Sequence, residues 1–469
     1  MNLKYNTYHA FENDGNYYLF DNERLISCII EKRVYDALKS NDVSALTEKE
    51  LQMFDAFHKQ NIFFVDEPQT QYSFPKYNMV IVSMALFHGC NLKCKYCFAD
   101  AGENFKGEQR EFDESSINAA IDFLLSDPYF SQNDYYRINL VSGGEPLLNK
   151  KLFKMFIEIA FSRFEKANKH LYVWFSTNGT LLSEEDLLFI SRYNVGYGIS
   201  IDGNKSDNDK LRVYNDGSGT YDDIVHNIQS IRQSLLVPKR LKELWGLMVY
   251  TRDNINLLDN IVHLNNLGFS TLQMRFVRSN DEKIALKSGE ATEVLLDFTK
   301  AIFERAIEGD NDLLRVICND NDYTGKIIKR IVTQSGTEVR CGAGSYMFSF
   351  AADGKIYPCD CFVGNPDYVM GSFYETIPKD QFDKYSDLSV HNRKKCNNCW
   401  AKYVCGGDCY HNSYLKHSNI LVPDDSYCEM ILQVIECIIA YVNQYRLKNR
   451  DGYNAFCNFL QVRDRMSRK

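Results

Sequence analysis

From residue 79 onward, apolar runs of strand length alternate with stretches of helical period. The runs "MVIVSMALF", "RINLVS", "LYVWFST", "VGYGISI", "LWGLMVY" and "LQMRFV" predict six strands buried on both faces. Six amphipathic segments follow them in turn: "DESSINAAIDFLL", "KKLFKMFIEIAFSRF", "SEEDLLFISRY", "TYDDIVHNIQSIRQ", "NLLDNIVHLNNL" and "EVLLDFTKAIFERAI". In the second of these, Phe153, Phe156, Ile157, Ala160, Phe161 and Phe164 share one face. Strict strand–helix alternation predicts an α/β fold of parallel strands joined by right-handed crossovers. Six units are too few to close an eight-stranded barrel, so residues 79–310 are expected to form a curved, partly open (β/α)6 barrel. Chemistry in such folds sits at the C-terminal strand ends.

The flanks read differently. Residues 1–75 hold two strands, "NYYLFD" and "RLISCII", turning at Asn22–Glu23, then a helix "KRVYDALKS" and a second, "TEKELQMFDAFHKQ", with Thr47 and Glu50 placed as a capping box. That combination predicts a winged-helix-like module, closed off by the polar linker "DEPQTQYSFPKYN". Residues 320–430 are rich in Cys and Gly, with short strands in "MFSFAADGKIYP" around an "ADGK" turn. A final helix, "YCEMILQVIECIIAYVNQYRLK", opens a C-terminal helix and tail over 431–469.

Composition narrows the function. A net charge of -8 implies no broad basic surface, so nucleic acid is not an expected partner. The first residues lack an apolar secretory segment, and "MILQVIECIIAYV" is too short to span a bilayer and carries Gln433 and Glu436. No membrane partner and a cytoplasmic location are therefore expected. Fifteen cysteines are many for a reducing compartment, where clustered thiols more often bind metal than pair. Cys28, Cys318, Cys437 and Cys457 stand alone and read as small buried hydrophobes.

The other eleven form two groups. Cys90, Cys94 and Cys97 in "HGCNLKCKYCFAD" follow the first strand directly, in C-x3-C-x2-C spacing. Thiolates hold iron–sulfur clusters. Three of them leave one iron of a four-iron cube free for a ligand, whereas zinc would need a fourth residue from a strained His88. This triplet, with Tyr96 before its last cysteine and Phe98 after it, resembles that of the radical S-adenosylmethionine (SAM) enzymes. The resemblance continues in "SGGEP" after the second strand, where family members hold the SAM amino group with residues matching Gly143, Gly144 and Glu145. Glycines allow close backbone approach and a carboxylate suits an ammonium. The fourth strand ends in "SIDG", and Arg212 follows Ser200 by twelve residues, as in relatives where such a pair contacts the SAM carboxylate and ribose. Ser176 and Asn178 in "FSTNG" and Leu247 on the fifth strand are further candidates for lining that site. The resemblance implies reductive cleavage of SAM to a 5′-deoxyadenosyl radical that abstracts hydrogen from a substrate. It also implies a one-electron donor such as flavodoxin or ferredoxin.

The second group, Cys341, Cys359, Cys361, Cys396, Cys399, Cys405, Cys409 and Cys428, contains "CNNCWAKYVCGGDC" and resembles the SPASM extension of radical SAM enzymes. By that resemblance two auxiliary 4Fe–4S clusters are expected, making three in all. Cys396, Cys399, Cys405 and Cys428 would hold the outer one, and Cys341, Cys359 and Cys409 the inner. The inner set lacks a fourth cysteine where several relatives have it, since "GAGSYMF" stands there. Either Cys361 completes it, or an iron is open to a substrate thiolate. Asp360, in "YPCDCF", matches an aspartate that serves as base in sulfatase-maturing relatives; a structural acceptor is the alternative.

The N-terminal module resembles leader-peptide recognition elements of ribosomal-peptide maturases, which add the leader as a strand to a sheet edge. The leading expectation is thus an enzyme that crosslinks a ribosomally made precursor peptide, through a cysteine thioether. Carbon–carbon crosslinking and anaerobic sulfatase maturation are the alternatives. An iron–sulfur electron-transfer protein would leave "SGGEP" and the Ser200/Arg212 pair unexplained.

Overall fold

A computed structural model describes residues 8–63, 72, 78–97, 111–277, 281 and 283–467 of the 469-residue chain. Most of the expected linker 66–78, and Phe98, lie outside the described residues. The chain divides into two compact units, one of residues 1–74, 286–340 and 388–469, the other of 75–285 and 341–387.

In the first unit, β1 (Tyr8–Asn13), β2 (Asn16–Asp21) and β3 (Ser27–Ile30) form an antiparallel sheet in that order. β1 is an additional strand, lying within the expected module 1–75 ahead of its two expected strands. The first hairpin turns at Asp14–Gly15, with φ of 49° and 76°, the left-handed geometry that an Asp-Gly pair permits in a two-residue turn. After β2, buried Asp21 organises a wider turn. Its carboxylate accepts from the backbone N–H groups of Glu23, Arg24 and Phe63 at 2.9, 2.9 and 2.7 Å. That is why β3 starts at Ser27, three residues later than the apolar run suggested. Helices Lys32–Ser40 and Glu48–Lys59 close a core of Tyr8, Leu19, Val34, Leu38 and Phe54. The capping box is present, with Glu50 accepting from the Thr47 N–H at 2.7 Å.

The module packs onto the C-terminal helices of the same unit. The His9 ring stacks on Trp400 at 3.8 Å and meets the Glu436 carboxylate at 2.7 Å, while Asn443 donates to Ser27 Oγ at 2.7 Å. Helix Asp425–Lys448 also packs along Ser288–Ile307, the helix expected to end the strand–helix run. A further helix, Arg450–Ser467, stands where a tail was expected. No described helix is long and apolar enough to cross a membrane.

The second unit is built on one nine-stranded sheet. β4 (Met79–Met84), β5 (Tyr135–Leu140), β6 (His170–Thr177), β7 (Val195–Ser200), β8 (Leu244–Tyr250) and β9 (Phe269–Phe276) lie in sequence order and run parallel. This is the expected six-stranded α/β array, open because β9 ends it. β10 (Met347–Phe350) pairs parallel to β4, and β11 (Lys355–Tyr357) and β12 (Gly371–Ser372) continue antiparallel. The hairpin was legible in the sequence; its attachment to β4 was not.

Burial alternates along β5, β6 and β8, so these strands are not buried on both faces as expected, whereas β4 and β7 carry runs of buried residues. On β5, Tyr136, Ile138 and Leu140 are buried, and the Tyr136 ring meets Phe164 of helix Lys150–Lys166. Arg137 and Asn139 face the other way and are half-buried. Right-handed crossovers between neighbouring strands place the helices on one face, leaving the opposite face to line the open barrel.

Candidate functional site

The cysteine triplet lies in the loop after β4, held from both sides. Lys93 and Lys95 donate backbone N–H groups to Val213 and Leu211 at 2.8 and 3.0 Å, which fastens the loop to the segment carrying Arg212. A tight turn brings the Cys97 N–H to the Cys94 carbonyl at 3.0 Å, and the Leu92 N–H points at Cys90 Sγ at 3.4 Å. The thiols are half-buried, and Cys97 lies near enough to raise the pKa of Cys90 and of Cys94. Burial pushes Cys94 up to about 11, Cys97 and Cys90 add to it, and Arg212 opposes. Such thiols become thiolates at neutral pH only against a strong positive centre, which iron supplies. The donor set fits an iron–sulfur cluster with one vacant position.

The "SGGEP" loop lies directly against this one. The Gly144 N–H donates to the Phe87 carbonyl at 2.8 Å and Glu145 N–H to the Gly89 carbonyl at 2.9 Å. A Cβ on Gly144 would stand 1.8 Å from the Gly89 carbonyl oxygen, and one on Gly143 would stand 2.6 Å from Ala85 Cβ. The glycines are therefore required by loop-on-loop packing. The Glu145 carboxylate is buried and already engaged: Oε1 accepts from Leu147 N–H at 3.0 Å and Thr177 Oγ1 at 2.8 Å, Oε2 from Asn178 N–H at 2.6 Å. It ties the end of β6 to the end of β5. Asn178 in turn donates to Asn91 Oδ1 at 2.8 Å and points Nδ2 at Cys90 Sγ, 4.0 Å away.

Across the site, Arg212 Nη1 donates to Tyr96 Oη at 2.7 Å, and Tyr96 donates to Asp202 Oδ2 at 2.5 Å. Asp202 is fully buried and also accepts the Val249 N–H at 3.0 Å. Burial raises its pKa, with Arg212 and Tyr96 pulling the other way. Asp202 was visible in "SIDG" but was not assigned a role; its pairing with Tyr96, 106 residues away in sequence, could not be read there. Arg212 Nε is buried without a hydrogen-bond partner among the described residues. A buried orphan donor on a guanidinium fits an anionic ligand such as the SAM carboxylate. Ser200 and Leu247 pair across β7 and β8 at this end of the sheet, and Ser176 lies on the same half-buried face of β6. All nine expected SAM-contacting positions thus gather around the C-terminal ends of β4 to β8.

Cys341, Cys359 and Cys361 belong to the same unit. The β10–β11 hairpin returns the chain so that Gly344 N–H meets the Pro358 carbonyl at 2.9 Å. The Cys359 thiol is raised well above its usual range by the hydrogen bond with Cys361, by burial, and by Asp360 and Cys341. Asp360 accepts a hydrogen bond from Ser142 Oγ, the residue that opens "SGGEP" and has φ of 66°. The candidate base is thereby attached to the SAM-motif loop, a link the sequence did not signal.

The remaining cysteines are in the first unit. Cys396, Cys399, Cys405 and Cys428 each have their pKa raised by burial first, or lie among the groups that raise the others. They converge on one another. Fully buried Arg393 holds their loop, donating to the Asp408 carbonyl at 2.7 Å and Ser413 Oγ at 2.8 Å. Cys409 stands at the residue preceding helix Tyr410–His417.

This fold has known counterparts. Residues 84–237 match the family model of the Radical SAM superfamily, so the chain carries a radical SAM domain. Among curated relatives, a cysteine-type anaerobic sulfatase-maturating enzyme of Clostridium novyi is 23% identical over 74% of this chain and 91% of its own length. The radical SAM cyclopropyl synthase TigE of Paramaledivibacter caminithermalis is 22% identical over 76% of this chain and 73% of its own. Among solved structures, native anSMEcpe with bound AdoMet and Kp18Cys peptide superposes with a TM-score of 0.64 at 21% identity, covering 78% of this chain and 99% of that one.

Proposed function

We propose that the protein is a radical SAM maturase that oxidises a peptide. The observation that carries this is the bracket of Tyr96, Asp202 and Arg212 on the cysteine loop, with Arg212 Nε left unpaired. In this reading Cys90, Cys94 and Cys97 hold a 4Fe–4S cluster, which supplies the electron that splits SAM. Arg212 takes the SAM carboxylate, the backbone of Gly143–Gly144 takes its ammonium, and Leu247 packs its adenine. Glu145 keeps the two loops in register without touching the ligand.

A peptide substrate is supported by the two sulfatase-related and cyclopropyl-forming relatives and by the AdoMet- and peptide-bound structure of similar fold. The preferred product is a thioether crosslink in a ribosomal precursor peptide. The support is Cys341, Cys359 and Cys361 gathered in the radical SAM unit, in the SPASM-like arrangement. Leader binding falls to the N-terminal sheet, and an external one-electron donor reduces the clusters. Asp360, held by Ser142 at the site, favours a second reading, formylglycine formation as in sulfatase-maturing enzymes.

The test is anaerobic. The reconstituted protein should hold about twelve irons, as three four-iron clusters require, and form 5′-deoxyadenosine from SAM and dithionite. A precursor peptide should then lose two hydrogen atoms and keep its cysteine sulfur. Loss of the sulfur would select formylglycine formation, and about four irons would remove the SPASM assignment.

A further inference from the structure

Below the SAM-contacting residues, the open face of the sheet carries a shelf that the chemistry above does not use. Arg137 of β5 donates Nε to Asn139 Oδ1 at 2.8 Å and lies over the rings of Tyr172 and Trp174 on β6, 5.4 and 5.8 Å from their centroids. Trp174 meets Trp245 of β8 edge-on at 5.0 Å, reaching across β7. The crossing works because β7 has glycines there. A Cβ on Gly196 would stand 2.2 Å from Tyr172 Oη, and one on Gly198 would stand 2.8 Å from Trp174 Cζ2. Glycine weakens a strand, so two of them under the rings mark a surface built flat.

Two polar groups of this shelf, the Arg137 guanidinium and the Trp245 indole N–H, are donors. Arg137 makes no ion pair among the described residues, and its charged form is favoured by Tyr172. Burial works against its charge with no carboxylate to compensate. Trp245 Nε1 is buried without a hydrogen-bond partner among the described residues. One unpartnered indole N–H and a guanidinium without an ion-pair partner among the described residues, on an aromatic surface, call for an acceptor, and a guanidinium's fork fits a carboxylate. The shelf is one residue pair deeper than Ser176, Ser200 and Leu247 on the same strands, about 7 Å along the sheet. A group bound there would hold a substrate beneath the SAM site.

We infer that the Arg137–Trp174–Trp245 shelf is a substrate subsite that binds a carboxylate, with Arg137 as a specificity-determining residue. This rests on the maturase reading for the identity of the substrate. The carboxylate has two sources in a peptide, an acidic side chain or the C-terminus.

The experiment is anaerobic calorimetry on the reconstituted, SAM-loaded full chain. The probes are N-acetylglutamate α-amide for the side chain, N-acetylglycine for the terminus, and N-acetylglutamine amide as the neutral isostere. One acidic probe should bind about tenfold or more tighter than the neutral one, the scale of a charged hydrogen bond. The acid that binds identifies the source. Arg137→Met should erase the preference while iron content and SAM binding hold, and Trp245→Phe should reduce it by about threefold. If Arg137→Met loses iron or SAM binding, Trp245→Phe decides alone. Equal binding of acid and amide, absence of binding by either acid, or an unchanged preference in the variants would overturn the inference. Formation of 5′-deoxyadenosine is scored separately. A carboxylate-selective shelf in a protein that never cleaves SAM would sink the maturase reading and leave the subsite standing.

Discussion

Replacing Gly144 by alanine adds one methyl group where the structure has no room for it. The backbone at Gly144 is not left-handed, so alanine meets no conformational penalty and the cost is the collision itself. The new Cβ would lie 1.8 Å from the Gly89 carbonyl oxygen and 2.7 Å from the His88 carbonyl carbon, both backbone atoms that no rotamer change can move. The two loops would have to part by roughly 1.5 Å to reach ordinary van der Waals separation. That stretches the Gly144–Phe87 and Glu145–Gly89 hydrogen bonds, now 2.8 and 2.9 Å, beyond useful length. Two hydrogen bonds at about 1 kcal/mol each and an overpacking strain of about 1–3 kcal/mol give a local cost of about 3–5 kcal/mol. The cost falls on the cysteine loop, one residue from Cys90, and the sheet beneath is untouched. Gly144→Ala should therefore fold, keep the auxiliary clusters, and lose about four of about twelve irons together with SAM cleavage. Hydrogen exchange of the segment around residues 87–93 should rise. A variant that reconstitutes fully and forms 5′-deoxyadenosine at the parent rate would refute the claim that these glycines exist for loop-on-loop packing.

Tyr96→Phe removes the hydroxyl between Arg212 and Asp202 and should weaken SAM binding by about tenfold at unchanged iron content, read by anaerobic calorimetry. Asp360→Asn should keep the clusters and SAM cleavage but slow peptide oxidation by about 10²–10⁴-fold if the carboxylate acts as base; an unchanged product rate would assign Asp360 a structural role. Hydrogen bonds from Thr47 hold Glu50 down to about 2, so its folded pKa lies below the unfolded value of 4.5. Its contribution is present above that unfolded value and is lost as pH falls through the folded one. The thermal stability of the cluster-free protein should fall between about pH 4.5 and about 2, and Glu50→Ala should flatten that dependence.

Much of the barrel was readable because its signals are local. Each of the six parallel strands lies in a short stretch rich in apolar residues, and the helices between them carry their own period. Elements missed were short or weakly patterned. Helices Lys205–Leu211 and Asp312–Ile317 span two turns or less, and β1 has its apolar residues on both faces, so neither period stands out. The cysteines and "SGGEP" were legible as chemistry because their spacing is itself the motif.

What the chain determined by itself was this local inventory: strands and helices in order, two groups of thiols, and the residue types around them. Tertiary structure decided the pairings between distant residues. Only the fold shows that the glycines of "SGGEP" serve the Cys90 loop, that Asp202 backs Tyr96, and that Ser142 holds Asp360. It likewise attached β10 to β4 and laid Trp174 across the glycines of β7. Such contacts depend on three-dimensional proximity between residues tens to hundreds of positions apart, and a buried donor or carboxylate selects its partner by geometry rather than by spacing along the chain.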